Sequence, residues 1–599
     1  VLTGANGMTK AGAGVLVLAA DNTVSGGVQV NLGTLQLGNG GTAGTVAGDV
    51  VIGTGAALAI NRSDALTLGG NITGAGSLTK SGPGAVTLSG SNSYSGGTTV
   101  NGGAVSVDAV SRLGGGGLTL NGGGLNFTGG LGTLASGSIG ASGGTFDIGN
   151  GGDLTITTLT GTANQLVKEG AGTLRIAALP ATFSANAGVL STSQNGTYNV
   201  GTNLANAGTI EFTGTGSPRV NLNVNQSGAG ALRFAAAGQS LAISGTALNV
   251  SVSNPIVLNT GTGTVNIGAT SGNTLTLNGA ISGTGNVNFA VGTSGGAGVT
   301  VLGAASTFAG NVVVNSAASG VHRLGVNNAI PTTAGVTFGS TAGSIDLNGF
   351  NQQLSYLASG NSGGISNSAA GLSTLTIDGT ASTTYARAIG VSGSANIALV
   401  KAGSSTLTLS GSSAYSGGTT ILGGTLKGTN LWAFGTGAIV LSSGATLDLS
   451  NLAFANVITN NGGTIIGSGS FGGSQVVQSG SSVFDGVVAP NSTVTISGSA
   501  LANFNQQVSG SVTVNGSANF NAPVSGFVVM SGSQAAATFA STVSGNVSAS
   551  NGGRIVITST VAPGASVSVG AGGTVELGNG VSFGDGVGLA NDGLVKFTN

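Results

Sequence analysis

The sequence predicts an all-β fold of one particular kind, a parallel β-solenoid of roughly 20 residues per coil. Three observations carry that expectation: short alternating strands set off by glycine corners, internal repeats in constant register, and very little charge. Glycine supplies 117 of the 599 residues and proline 8, while charged residues make up 5% and sum to a net charge of −1. The chain is nevertheless 40% hydrophobic, with a mean hydropathy of +0.39. Disordered chains are poor in apolar residues and carry excess charge, so this one folds. Its glycines lack the strict three-residue period of collagen, and apolar runs such as Val15 to Ala20 are too short to cross a bilayer as a helix. Balanced charge and an isoelectric point near 5.7 give no footprint for nucleic acid. Cysteine is absent, which removes disulfides, thiol nucleophiles and cysteine-held metals together.

The strands are read from alternation. Val86-Thr-Leu88, Thr98-Thr-Val100, Val105-Ser-Val107 and Ser511-Val-Thr-Val514 place apolar and polar residues on opposite faces. Between such runs stand Gly-Gly, Asn-Gly and Ser-Gly pairs, which allow the positive φ angles of sharp corners. No stretch pairs leucines at helical spacing with a charged far face.

The repeats turn strands into coils. Around Lys80 the chain reads Leu78-Thr-Lys80-Ser-Gly82-Pro-Gly84-Ala-Val86-Thr-Leu88, then Asn92-Ser-Tyr94-Ser-Gly96-Gly97-Thr98-Thr99-Val100. At an offset of 70 toward the N-terminus stand Lys10, Gly12, Gly14, Leu16, Leu18, Ser25, Gly26 and Gly27. At an offset of 321 toward the C-terminus stand Lys401, Gly403, Leu407, Leu409, Tyr415, Gly417, Gly418, Thr419 and Thr420. A half copy runs Lys168, Gly170, Gly172, Leu174, Ile176. The repeats thus lie near 8–35, 78–107, 166–176 and 399–428, within a section spanning 1–483. A second section, 484–599, has shorter coils. It repeats an aromatic or Ile followed by Val four positions on, at Phe484/Val488, Phe504/Val508, Phe520/Val524, Phe539/Val543, Ile557/Val561 and Phe583/Val587. Coils stacked at strand spacing would make a rod on the order of 140 Å long. Stacking also accounts for the low charge, because like side chains form ladders and like charges would then face each other. Inward positions take Val, Leu, Ile and Ala, with Phe, Tyr94 and Tyr415 filling the wider corners.

The string from Gly82 to Gly103, and its partner from Ser404 to Gly424, resemble the passenger-associated repeat of bacterial autotransporter proteins. The segment Ile345-Asp-Leu-Asn-Gly-Phe350-Asn-Gln, echoed at Thr446-Leu-Asp-Leu449, is similar to a companion segment of those passengers. The resemblance covers 1–130 and 340–450 well. It implies a right-handed parallel β-helix, exported by a signal peptide that is not in this chain and displayed outside an outer membrane. No stretch has the alternating strands and aromatic girdles of a translocating barrel, so the expected part is the passenger alone. The repeat is structural in that family, so no catalytic residue is carried over from it.

The search for chemistry assigns no catalytic, cofactor-binding or metal-binding residue, and no cofactor. The single histidine, His322, reads as an exposed loop residue. Gly292-Thr-Ser294-Gly-Gly296 matches a nucleophile elbow in letters but lacks the strand-to-helix context. Acids are scattered, and the stretches Phe234–His322 and Gly486–Gly553 contain no charged residue at all. A polysaccharide-cleaving site would need carboxylates or a calcium ion acting together, and that convergence is not legible. Gly151-Gly-Asp153 and Gly584-Asp-Gly586 are isolated fragments of calcium repeats. Trp432, the single tryptophan, reads as a packed corner, and Arg62 with Asp64 as a solvated pair of little energetic weight. The expected function is therefore non-enzymatic: an extracellular structural rod of the bacterial surface that associates with its own copies into a filament, sheath or surface layer. The alternative is an adhesin stalk that meets surface glycans or cells, with a polysaccharide-cleaving enzyme as the remote third.

Overall fold

The computed structural model describes residues 1–161, 165–180, 182–193, 197–200, 207–215, 219–243, 248–270, 272–290, 298–315, 320–339, 343–359, 363–390, 395–471 and 473–598. Strands are short and joined by turns, and the single helical element among the described residues is the 3-10 turn Val110–Leu113. The chain forms a parallel β-solenoid with roughly 20 residues per coil. It divides into two compact units, Val1–Asn286 and Val287–Asn599.

In the first unit each coil is bent around three sides. One side stacks Met8–Lys10, Val28–Val30, Val50–Ile52 and Ile72–Gly74, all parallel. The next stacks Val15–Leu18, Thr34–Leu37, Ala57–Ile60, Ser77–Lys80, Thr98–Val100 and Leu118–Leu120. The third stacks Leu66–Leu68, Ala85–Leu88, Ala104–Val107, Gly124–Phe127, Gly144–Ile148 and Gln165–Glu169. Leu78 faces Thr98 and Thr98 faces Leu118, a step of 20 residues each time. Alternation holds along these strands, with Leu58, Ile60, Leu78 and Leu120 buried and their neighbours turned outward.

The repeat lysine is buried in every copy, which composition did not foretell. Lys80, Lys168 and Lys401 have no exposed surface, and Lys10 has 6%. Each ammonium donates to carbonyls of its own corner and of the next coil. Lys10 Nζ reaches the carbonyls of Ala11 (3.1 Å), Gly12 (2.7 Å) and Leu32 (3.0 Å). Lys80 takes Gly82 and Gly102 (3.2 Å), and Lys168 takes Glu169, Gly170 (2.7 Å) and Ala187 (3.3 Å). Lys401 takes Ala402 (2.5 Å), Gly403 (3.1 Å) and Gly423 (3.3 Å). A buried ammonium is costly unless its donors are met, and its three N–H groups find three carbonyls at Lys10, Lys168 and Lys401 and two at Lys80. Burial pulls Lys80 and Lys401 below the usual ammonium range. It pulls Lys168 down to about 8, against the opposing fields of Asp147 and Glu169.

The offset of 70 is not a whole number of coils, and the registers show its meaning. The strand after Lys10, Val15–Leu18, lies in the same sheet as the strand that carries Lys80. The strand after Lys80, Ala85–Leu88, lies in the same sheet as the strand that carries Lys168. Each copy has therefore moved one side around the coil, and the three lysines occupy three different corners.

The wide corner of the repeat is filled by tyrosine. Tyr94 and Tyr415 are fully buried, and their hydroxyls share hydrogen bonds with Thr98 (2.5 Å) and Thr419 (2.7 Å), four residues on. The next coil passes directly over the ring with Gly114 or Gly435, at φ 72° and 61°. A Cβ there would meet the tyrosine carbonyl at 2.4 and 2.3 Å, so only glycine fits.

In the second unit two long sheets run from Gln352–Leu354 to Gly588–Asn591 and from Thr383–Tyr385 to Leu594–Phe597. The third side is a line of single bridges, Val488, Val508, Val524, Val543, Val561 and Phe583. Phe484, Phe504, Phe520 and Phe539 stack inside at centroid spacings of 4.7, 4.9 and 4.7 Å. The last rung differs from the expected pattern. Leu577, not Phe583, pairs with Ile557, and Phe583 continues the valine line opposite Val561. The sequence spacing assigned the aromatic to the wrong column because both columns accept bulky residues.

Replacing Lys80 by Met keeps the stem but leaves the Gly82 and Gly102 carbonyls without their donor, at an expected cost of about 1–3 kcal/mol. Amide exchange of Ser77–Lys80 and Thr98–Val100 should accelerate accordingly; unchanged protection would show that the ammonium contributes nothing.

Candidate contact surfaces

Several of the few charges pair across coils. Arg323 faces Asp346 (2.9 Å) and Lys427 faces Asp448 (2.7 Å) in register, and Glu576 pairs with the facing Lys596 (4.0 Å) and with Arg554 two positions off its column. Burial pushes the Asp346 carboxyl up, but the Ser368 hydroxyl and N–H, Arg323 and the Asn348 N–H outweigh it and hold it below the usual range. The Arg62 pair was expected to be solvated, and here the structure differs. The Arg62 side chain is buried and binds Asp64 (2.9 Å), Asp21 (3.3 Å) and the Thr42 carbonyl (2.5 Å). The hydrogen bond from Arg62 lowers Asp64. The missing signal was long-range, since Asp21, 41 residues before Arg62, reaches it only through the stacking of coils.

Among the described residues no three His, Cys, Asp or Glu side chains gather closely enough to hold a metal ion. Asp153, from the Gly151-Gly-Asp153 fragment, is instead engaged by Arg175 at 2.8 Å. The Gly292–Gly296 elbow motif lies outside the described residues.

His322 is not an exposed loop residue. It sits in the strand Val321–Leu324 with 2% of its surface exposed, and its ring stacks on Phe289 at 4.7 Å and 16°. It faces inward because alternation turns Arg323 outward to Asp346. Burial holds the imidazole neutral and lowers its pKa to about 3.

Trp432 is the second correction. It is 58% exposed and its neighbour Leu431 54%. The turn is held from within: the Trp432 N–H donates to Asn430 Oδ1 (2.9 Å), and its carbonyl accepts from Ser413 (3.0 Å) and Gly435 (3.2 Å). Phe434 takes the inward place instead, fully buried and 4.6 Å from the Phe454 ring. The indole is thus left on a fixed turn facing solvent. A different apolar spot lies on the strand Phe527–Ser531, where Phe527 (58%) and Val529 (44%) point outward. Their neighbours in register are Thr513, Asn546 and Ser548.

Corner-lysine coils with a tyrosine corner define a repeat-bearing β-solenoid, and the comparisons say which. Residues 8–37, 78–107 and 399–427 match the family described as Passenger-associated-transport-repeat. The chain is therefore a passenger-type β-solenoid that carries these repeats. The half copy at Lys168 lies outside the three matches, although its ammonium makes the same contacts. A stretch of 74 residues is 45% identical to Adhesin BmaC autotransporter of Brucella suis biovar 1 (strain 1330), covering 12% of this chain and 2% of that protein. No solved structure matches.

His322 yields a pH dependence. Its folded pKa lies below the ordinary value, so the unfolded chain binds the extra proton more readily. Stability is then fully present above pH 6.5 and falls between 6.5 and about 3, by at most about 1.4 kcal/mol per pH unit. His322→Phe should flatten that decline in denaturant midpoints taken from pH 7 to 4, while an identical decline would place its origin elsewhere.

Proposed function

We propose that the chain is a non-enzymatic passenger displayed on the bacterial outer surface, exported by a signal peptide, and that its work is attachment. The observation that carries this reading is the Leu431–Trp432 turn. An indole and a leucine are held in solvent by backbone hydrogen bonds on a rigid corner. Exposed aromatics anchored this way serve as contact hot spots, because little backbone freedom is left to lose on binding. The repeat matches and the stretch similar to an adhesin support the same direction. The partners on this reading are cells or surface glycans. Trp432→Ala with Leu431→Ser should reduce binding of the purified chain to target cells by about tenfold or more, with an unchanged thermal melt. Undiminished binding would remove this turn from the attachment reading.

A second reading, association of copies into a filament, sheath or layer, draws on Phe527 and Val529. They protrude from a face of Ser, Thr and Asn within Gly486–Gly553, which carries no charge to hold copies apart. Sedimentation velocity of the full chain should show concentration-dependent association that Phe527→Ser with Val529→Thr abolishes. A wild-type chain that stays monomeric at high concentration would end this reading.

A further inference from the structure

The first unit holds a cavity of about 290 Å³ that none of the foregoing uses. It opens on the outward side of four successive coils and is lined by Thr155, Thr157, Arg175, Ala177, Ser191 and Thr213, with the apolar edges of Ile156 and Ile176. Along one column Thr155 faces Arg175, Arg175 faces Ser191, Ser191 faces Glu211 and Glu211 faces Arg233. Four charges meet here in a chain that otherwise avoids them. Arg175 donates from Nε (2.9 and 3.0 Å) and Nη2 (2.8 Å) to Asp153. Its Nη1 lies 4.0 Å from Glu211, which in turn pairs with Arg233 at 3.4 Å.

We propose that this cavity is a binding site for a neutral sugar ring, a unit of an uncharged glycan. The network orients Arg175 through two of its nitrogens while Nη1, beyond hydrogen-bonding distance of Glu211, donates to none of the described residues. An oriented pair of N–H groups therefore faces a partly exposed space beside the hydroxyls of Thr155 and Thr157 and that of Thr213, which donates to the Thr192 carbonyl (2.9 Å) and is left to accept. Two carboxylates and two guanidinium groups cancel, so an anion would meet Asp153 and Glu211 and a cation would meet the arginines. A polyol suffers neither. Its hydroxyls exchange hydrogen bonds with Nη1 and the threonine side chains, and its C–H face lies on the exposed Ala177, above the buried Ile156 and Ile176. That division, a few fixed polar groups beside an apolar floor, is how small-molecule sites obtain orientation and contact together. The volume is at the small end of such sites, the size of one or two rings. As a contact for attachment the site rests on the reading above, but its chemistry does not depend on it.

The test is saturation-transfer NMR of the full chain with tetrasaccharides of glucose, mannose and N-acetylglucosamine, and with tetragalacturonate as the acidic control. Millimolar binding of a neutral tetrasaccharide is expected. Ala177→Phe fills the cavity from an exposed position and leaves the ion pairs intact, and it should weaken that binding by about tenfold or more with the thermal melt unchanged. Arg175→Gln should weaken it as well. Retention on the corresponding insoluble polymer would identify a surface or wall glycan as the source, and binding of the soluble sugar alone a free saccharide. No binding of any neutral tetrasaccharide, tighter binding of the acidic one, or wild-type binding by Ala177→Phe would overturn the proposal. Because no cells enter this measurement, its failure leaves attachment through Trp432 standing, and loss of the attachment reading leaves the sugar site standing.

Discussion

Register is the constraint on which everything else depends. Parallel coils satisfy the backbone by bonding residue to residue, so each side chain lies against its counterpart one coil away. Whatever occupies a column must tolerate its neighbours there. Phenylalanines tolerate it by stacking, as Phe504 and Phe520 do at 4.9 Å with ring planes 4° apart. Asparagines tolerate it by donating to each other, as Asn519 does to Asn503 and Asn521 to Asn505, both at 2.8 Å. Opposite charges tolerate it by pairing, as Arg323 does with the facing Asp346 and Lys427 with the facing Asp448, while the one facing pair of acids among these strands, Asp147 and Glu169, lies beside the buried Lys168. The low charge content of the chain is the compositional trace of this rule.

Most of the fold was legible because register writes itself into the sequence. The spacing of Phe504/Val508 and Phe520/Val524 is the spacing of two columns in space, and Lys-x-Gly-x-Gly recurs because the same corner recurs. What escaped had a common cause. Alternation along a strand is decided by neighbours on adjacent coils, and those neighbours are unknown until the register is known. His322 and Arg323 exchange places between core and surface on a one-residue shift. Trp432 was displaced outward by Phe434, two residues away, and Phe583 joined the valine line rather than the aromatic one. The buried lysines were visible as a pattern but not as buried, because an ammonium is ordinarily a surface group. Their one sequence signal was the glycine two positions after each, at a corner that brings backbone carbonyls within reach of Nζ.

The same constraint separates scaffold from function. Columns that hold the coils together are occupied by what register permits, so departures from the ladder stand out as positions released from that duty. Trp432, Phe527 and the Arg175 network are three such departures, and each differs in chemistry from the Ser, Thr and Asn background around it.

The placement of the lysines has a mechanical consequence. A corner clamp resists hinging only across the edge it occupies, as a single row of rivets leaves a beam free to fold along the opposite side. Because Lys10, Lys80 and Lys168 sit on three successive corners, the first unit is braced in turn along each edge. No edge of the first unit is therefore left without a clamped seam, and a hinge opening along any one of the three must break an ammonium's bonds to two coils.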